Sequence, residues 1–251
     1  MLNNDYFSSQ ADAYRRFRPR YPNRLFEYLS TELDTNSVIW DCATGNGQAA
    51  IQFNPELKVV ATDQSFSQLI HRSLSNNVLY AQARAEHAPF NDASVSLITV
   101  AQALHWFDFD SFYREARRVL KPGGIIAAWT YSFLSASPQL GHNIDQCVRS
   151  FYYDIVGAYW PPERQWIDHL YETIPFPFED VQVPDFHLEL SWSLEDLVGY
   201  LSSWSSVMLY KKAKNIDPVP DLKSQLRKLW GDSKIKKDTQ WKLGLRIGKN
   251  S

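Results

Sequence analysis

The chain has 251 residues, 44% of them hydrophobic, and its 26 Lys/Arg against 28 Asp/Glu leave a formal net charge of −2. That length supports one large core, and the near-neutral balance excludes a global field for nucleic acid, so no nucleic-acid partner is expected. Two cysteines, Cys42 and Cys147, give no disulfide framework, Met1–Tyr6 lacks the basic-then-apolar pattern of a signal peptide, and no apolar run is long enough to span a bilayer, so a cytoplasmic setting is expected.

Residues 1–22 are polar and arginine-rich, and Pro19 and Pro22 interrupt any helix there. Leu25, Phe26, Leu29 and Leu33 share one face of a helix predicted over Arg24–Leu33. Short apolar strands are predicted at Val38–Asp41, Lys58–Asp63, Val78–Ala81, Val95–Ala101 and Ile125–Trp129. Between them lie a helix at 48–53, a second opened by a capping box at Ser65-Phe66-Ser67-Gln68, and a third with the stripe Phe112, Ala116, Val119 and Leu120, which stops at Lys121-Pro122-Gly123-Gly124. Residues 132–174 are mostly helical and aromatic, 178–191 strand-like around Pro184, Ser193–Leu201 and Leu222–Leu229 helical, and Gln240–Gly248 alternates as a strand. Strands alternating with helices imply an α/β fold, a parallel sheet covered on both faces.

The most informative stretch is Asp41-Cys42-Ala43-Thr44-Gly45-Asn46-Gly47-Gln48-Ala49-Ala50. A strand ends in a carboxylate, crosses a small-residue turn with two glycines, and enters a helix-compatible segment whose first N–H groups point at a ligand. Gly45 to Ala50 satisfies the dinucleotide pattern GxGxxA, and Asp63 sits where a ribose-binding acid would. A nicotinamide oxidoreductase is therefore a rival, to which Tyr210 and Lys214 add a weak Tyr-x-x-x-Lys match. Against it, Asp41 repels pyrophosphate and the loop carries no basic residue. After the third strand comes Arg84-Ala85-Glu86-His87-Ala88-Pro89-Phe90, and the fourth leads into Ala101-Gln102-Ala103-Leu104-His105-Trp106-Phe107, polar and aromatic groups at a sheet's carboxyl edge.

With these motifs, and with Tyr14–Pro22 and Arg118–Gly124, the chain resembles the class I S-adenosylmethionine-dependent methyltransferases, in particular the trans-aconitate methyltransferase-like small-molecule group. The resemblance covers residues 5–130 through motifs and the remainder through the order of elements. It implies a Rossmann-like fold with a mostly parallel seven-stranded sheet. The whole chain is then a single methyltransferase domain, with residues 1–22 covering the cofactor and a helical insertion at 132–174 over the active site. The family's first-loop pattern is DxGxGxG, and Ala43 stands where it has its first glycine.

The resemblance also implies roles. S-adenosyl-L-methionine is the cofactor, held by Asp41 at its ammonium, by the loop of Ala43, Gly45 and Gly47, by Asp63 at the ribose hydroxyls, by Gln64, Ser65, Ala85 and Glu86 around the adenine, by Ala101 and Gln102 at the fourth strand's end, and by Tyr14 and Arg18 from the amino-terminal segment, to which Tyr6, Phe7 and Tyr21 also belong. His105 and Trp106 would reach the transferred methyl, His105 either accepting a proton or orienting a substrate carboxylate. The acceptor would be a small molecule, a carboxylate among the candidates, and no metal is expected. Phe133, Tyr152, Tyr153, Tyr159, Trp160 and Trp166 are either a water-excluding cover or ordinary core. A cofactor-binding regulator without turnover is a third reading, left open by Ala43 and by residues 211–251, with 12 Lys/Arg against 4 Asp/Glu, although solvated lysines are the better explanation of that stretch.

Overall fold

The protein is described from a computed structural model, residues 19–135 and 137–251; Tyr6, Phe7, Tyr14 and Arg18 lie outside the described residues. Two compact units divide the chain.

The sheet unit comprises Tyr21–Tyr131, Gln165–Phe186 and Leu243–Ser251. Its strands are β1 (Val38–Cys42), β2 (Lys58–Asp63), β3 (Val78–Gln82), β4 (Val95–Ala101), β5 (Leu120–Tyr131), β6 (Glu179–Asp180) and the carboxyl-terminal half of β8 (Lys237–Lys249). Their order is β3-β2-β1-β4-β5-β8-β6. The first five pair in parallel and β8 runs antiparallel between β5 and β6. This is a Rossmann-like, mostly parallel sheet, as expected, but with β7 (His187–Trp192), which pairs with β8, it counts eight strands rather than the expected seven. β1 and β4 read as continuous apolar runs because both of their faces are covered. Trp40, Ile98, Val100 and Ile126 pack against Phe112, Ala116 and Val119 of α3 (Phe109–Val119) in one cluster. Asp108 caps α3 by accepting the Ser111 N–H at 2.9 Å.

Three local expectations differ. The helix expected over Arg24–Leu33 is α1, Asn23–Leu29, which ends once Leu25, Phe26 and Leu29 are buried. Residues 48–53 form no α-helix, only a 3₁₀ turn at Ala50–Gln52, because Asn54-Pro55 follows at once. The capping box at Ser65 does not form: the Ser65 hydroxyl pairs with that of Ser67 at 2.7 Å, and α2 is only Phe66–Ile70.

The second unit contains Ser132–Arg164 and His187–Lys242. It carries α4 (His142–Ser150), β7 (His187–Trp192), α6 (Leu194–Ser202), α7 (Ser205–Lys214) and α8 (Val219–Trp230), whereas the short α5 (Arg164–Asp168) leads back into the sheet unit. β7 pairs antiparallel with the first half of β8, from His187↔Lys242 to Trp192↔Lys237. Ser193 and Asp196 form a full capping box at α6. The core is aromatic: Trp241 contacts Phe133 at 5.4 Å, Trp192 at 5.3 Å and Tyr200 at 5.1 Å, and Trp204 contacts Tyr152 at 5.6 Å and Trp160 at 5.3 Å. Each such pair contributes about 0.5–1.5 kcal/mol beyond burial. Phe133 and Tyr152 therefore fill core, Tyr153 is exposed, and Trp166 packs on Phe109 in the sheet unit. Helix α7 has no sequence counterpart among the expectations, since only Ser206 and Val207 of it are buried and no apolar stripe announces it.

Candidate active site

β1 and β2 run side by side with Asp41 opposite Ala61, and each ends near a carboxylate, Asp41 and Asp63. The turn after β1 places alternate residues in the left-handed region: Ala43 at φ 54°, Gly45 at 58° and Gly47 at 81°. Gly47 must be glycine, because a Cβ there would collide with the Tyr80 ring. Over Gly45 the nearest atom to an added Cβ is Gln68 Oε1 at 3.9 Å, so its backbone is approachable. Ala43 adopts the glycine-like conformation despite its methyl group, at a cost of about 1–2 kcal/mol.

Three of the loop's amides are spent internally. Thr44 N–H bonds to Thr62 O at 2.9 Å, Gly47 N–H to Thr44 O at 3.0 Å, and Gly45 N–H to Asp63 Oδ2 at 2.8 Å. Asp63 Oδ1 accepts the Ser65 N–H at 2.8 Å. The amides of Thr44, Gly45 and Gly47 are thus not offered to a pyrophosphate, and the 3₁₀ turn behind the loop supplies no long helix dipole.

Asp41 is fully buried, accepting hydroxyl donations from Thr44 and, at 2.8 Å, from Thr99. Burial pushes its carboxyl up to about 6, against the two hydroxyl bonds. Burial also raises Asp63, and the Ser65 and Gly45 amides oppose the rise. Tyr80, on β3, is pushed up to about 12 by burial and by the charge of Asp41, and its hydroxyl donates to Ser73 O at 2.7 Å.

The remaining expected residues fall at the same carboxyl edge. The Gln64 carbonyl accepts Gln82 Nε2 at 2.9 Å. Glu86 pairs with Arg84 at 3.3 Å beside Ala85, and the Pro89-Phe90 turn is clamped to α3: Glu115 accepts the Ala88 N–H at 2.8 Å, and Arg118 donates to Phe90 O at 2.9 Å and to Asp92 at 2.6 Å. Arg118 of the sequence motif thus holds the loop that carries Ala85 and Glu86. Ala101 ends β4 opposite Trp129, and Gln102 follows in the left-handed region at φ 56°. Its amide turns onto β5, accepting the Thr130 hydroxyl at 2.8 Å and donating to Tyr131 O at 3.4 Å. His105 is buried, its ring centroid 4.8 Å from that of Trp106, and its Nδ1 lies 2.7 Å from the Tyr171 hydroxyl. Thr99, Thr130 and Tyr171 were not marked by the sequence. Thr99 carried a signal, a polar residue inside a buried apolar strand; Tyr171 carried none, lying 66 residues from His105.

Comparison with known proteins agrees with this geometry. A family described as "Methyltransferase domain" matches residues 40–128. A Dictyostelium discoideum protein named as a methyltransferase is 35% identical over 92% of this chain and 90% of its own length. The chain belongs to the class I methyltransferases. This methyltransferase is also 31% identical over 86% of its length to an uncharacterized methyltransferase of Mycobacterium tuberculosis, covering 84% of that protein. The solved structure of a type II methyltransferase from Anaeromyxobacter dehalogenans is 34% identical with a TM-score of 0.83, covering 93% of this chain and 98% of that one. The methyltransferase is an enzyme of the S-adenosylmethionine-dependent class, and the nicotinamide reading is not favoured; Tyr210 and Lys214 both lie on α7, in the unit that lacks the glycine loop. Among the described residues no helix is long and apolar enough to cross a membrane.

Proposed function

We propose that this methyltransferase, in the cytoplasm, binds S-adenosyl-L-methionine across the ends of β1 and β2 and methylates a carboxylate of a small acceptor, as in the trans-aconitate methyltransferase-like group. The observation that carries the reading is the Gly45–Asp63 bond of 2.8 Å, which sets an acceptor-only side chain beside an approachable left-handed backbone. The donor set fits the cofactor. A buried carboxylate at Asp41 suits an ammonium, the second lone pairs of Asp63 suit two ribose hydroxyls, and the internally bonded amides disfavour a phosphate. Ala43, Gly45 and Gly47 would take the amino-acid tail, Gln64, Ser65, Ala85 and Glu86 the adenine, and Ala101 and Gln102 the reacting end. Tyr14 and Arg18 remain candidates from the amino-terminal segment.

Bound between Asp41 and Asp63, the cofactor would supply a methyl on a positively charged sulfur, which a carboxylate oxygen of the acceptor would take as a C–O bond, the C–S electron pair staying with sulfur. The protein's own tasks are alignment at about 3–3.5 Å and exclusion of water. His105 and Trp106 would orient the acceptor, and an ionised carboxylate needs no base. A labelled-methyl transfer screen over trans-aconitate, other small di- and tricarboxylates, alcohols and amines tests this. Base-labile label on an acid is the expected product; label confined to amines would contradict the acceptor class.

A further inference from the structure

In the second unit a group of buried donors gathers around the first turn of α7. Trp204 stands at that helix's amino terminus and Ser206 in its first turn, 1% and 0% exposed. Among the described residues, no side chain caps the helix, and Trp204 Nε1, Ser206 Oγ and Trp160 Nε1 are all buried without a hydrogen-bond partner. The helix's own bonds begin with the Val207 and Met208 amides on the Trp204 carbonyl, at 3.1 and 3.3 Å, so the Ser205 and Ser206 amides come before them. Buried indole and hydroxyl groups are ordinarily paired, because an unpaired one forfeits its bond to water. Three such groups in one place point to a ligand.

The chain brings a cation to the same place. After α4 the backbone widens into one π-helical turn, Phe151–Ile155, closed by the Val156 N–H on the Phe151 carbonyl at 3.0 Å; this rare conformation recurs at functional sites. It carries Tyr152, whose ring lies 5.0 Å from Trp160 and 5.6 Å from Trp204, while Trp160 lies 5.3 Å from Trp204. Arg164 Nε donates to the Tyr152 hydroxyl at 3.0 Å, and its guanidinium carbon sits 4.3 Å from the Trp160 ring centre. Tyr159 packs on Tyr210 of α7 at 5.1 Å and pins the intervening turn to that helix. A ring below and a hydroxyl beside it thus hold the guanidinium among the indoles.

We propose that this cluster binds the carboxylate of a small organic acid. Indole N–H, amide N–H and guanidinium groups only donate, and a serine hydroxyl can turn to donate as well. Donors in excess of acceptors select an anion, and the amino end of a helix favours one. One guanidinium among neutral donors matches the single charge of a carboxylate better than the double charge of a phosphate. The aromatic rings would take the apolar body of the acid. Binding there is independent of the cofactor read for the sheet unit.

The indole region of ¹H–¹⁵N spectra of the ¹⁵N-tryptophan-labelled full chain tests this. Trp160 and Trp204 are assigned by the signals that disappear in Trp160→Phe and in Trp204→Phe. Acetate, succinate, tricarballylate and benzoate are titrated to tens of millimolar, with the corresponding amides as uncharged counterparts and inorganic phosphate as the competing anion. At least one acid is expected to shift both signals saturably, its amide to leave them in place, and Arg164→Gln to weaken the binding at least tenfold. No saturable shift with any acid, an equal shift with the amide, or tighter binding of phosphate overturns the proposal. So does unchanged affinity in a folded Arg164→Gln. If that variant fails to fold, the wild-type comparison of acid with amide decides alone.

Discussion

Asp41 and Thr99 are register partners on adjacent parallel strands, and the Thr99 hydroxyl donates to Asp41 Oδ1 at 2.8 Å. A fully buried carboxylate is thereby fixed in place before any cation reaches it. Its pKa rises from 3.8 to about 6, so between these values the folded chain holds a proton that the unfolded chain has lost. Asp41 therefore makes the cofactor-less protein less stable as pH rises from about 4 to about 6, by roughly 3 kcal/mol in all, with no further change above. The wild-type stability minus that of Asp41→Asn, from urea melts at pH 4 to 7, is expected to fall by about that amount. A flat difference would contradict the burial argument.

Charge on Asp41 is also what an ammonium needs. Affinity for S-adenosylhomocysteine is expected to rise severalfold or more between pH 5 and pH 7 in wild type and to stay nearly level in Asp41→Asn, measured by calorimetry with the proton release read from buffers of different ionisation heat. Equal pH dependence in both proteins would place the ammonium elsewhere.

Ala43 holds a φ of 54° where glycine would be unstrained. Relief of the left-handed cost exceeds the extra chain entropy of glycine, so Ala43→Gly is expected to stabilise by about 0.5–1 kcal/mol in a thermal or urea melt. A destabilised variant would mean the methyl group packs better than the backbone suffers.

Gly47→Ala meets the opposite situation, a φ of 81° with the Tyr80 ring in the way of the new Cβ. It is expected to lose at least 2 kcal/mol of stability and at least tenfold in S-adenosylhomocysteine affinity. Gly47→Ala combined with Tyr80→Ala should recover part of the stability, since the clash is removed and the strain remains. No recovery would show that Tyr80 is not what forbids the methyl group.

The sheet was legible because its central strands are largely buried: β2 and β4 fall at the expected bounds, and Asp63 closes β2 as read. The glycines, both carboxylates and the Gln102–Trp106 loop were legible because chemistry at a strand end needs distinctive residue types. What failed was local helix chemistry. Ser65 matched a capping box, but Asp63 took the Ser65 amide and Ser67 took its hydroxyl. Residues 48–53 matched a helix, but one turn cannot outlast the Asn54-Pro55 that follows. Tyr171 was invisible because its bond to His105 spans 66 residues and it adopts a backbone conformation that no side-chain pattern encodes. Arg118 was visible only as part of a motif; that it clamps the 84–90 loop through Glu115 and Asp92 required the fold.

The most direct measurement is calorimetric titration of S-adenosylhomocysteine into wild type and into Asp63→Ala. Asp63 accepts from Gly45 and Ser65 at 2.8 Å each, so its loss removes both the loop's anchor and the acceptor proposed for the ribose hydroxyls. Each charge-assisted bond contributes about 1.5–3 kcal/mol. Saturable one-to-one binding to wild type, weakened at least tenfold in a variant that still melts cooperatively, is the expected result. Equal affinity in the two proteins, or tight saturable binding of NADPH in place of the nucleoside, would contradict it.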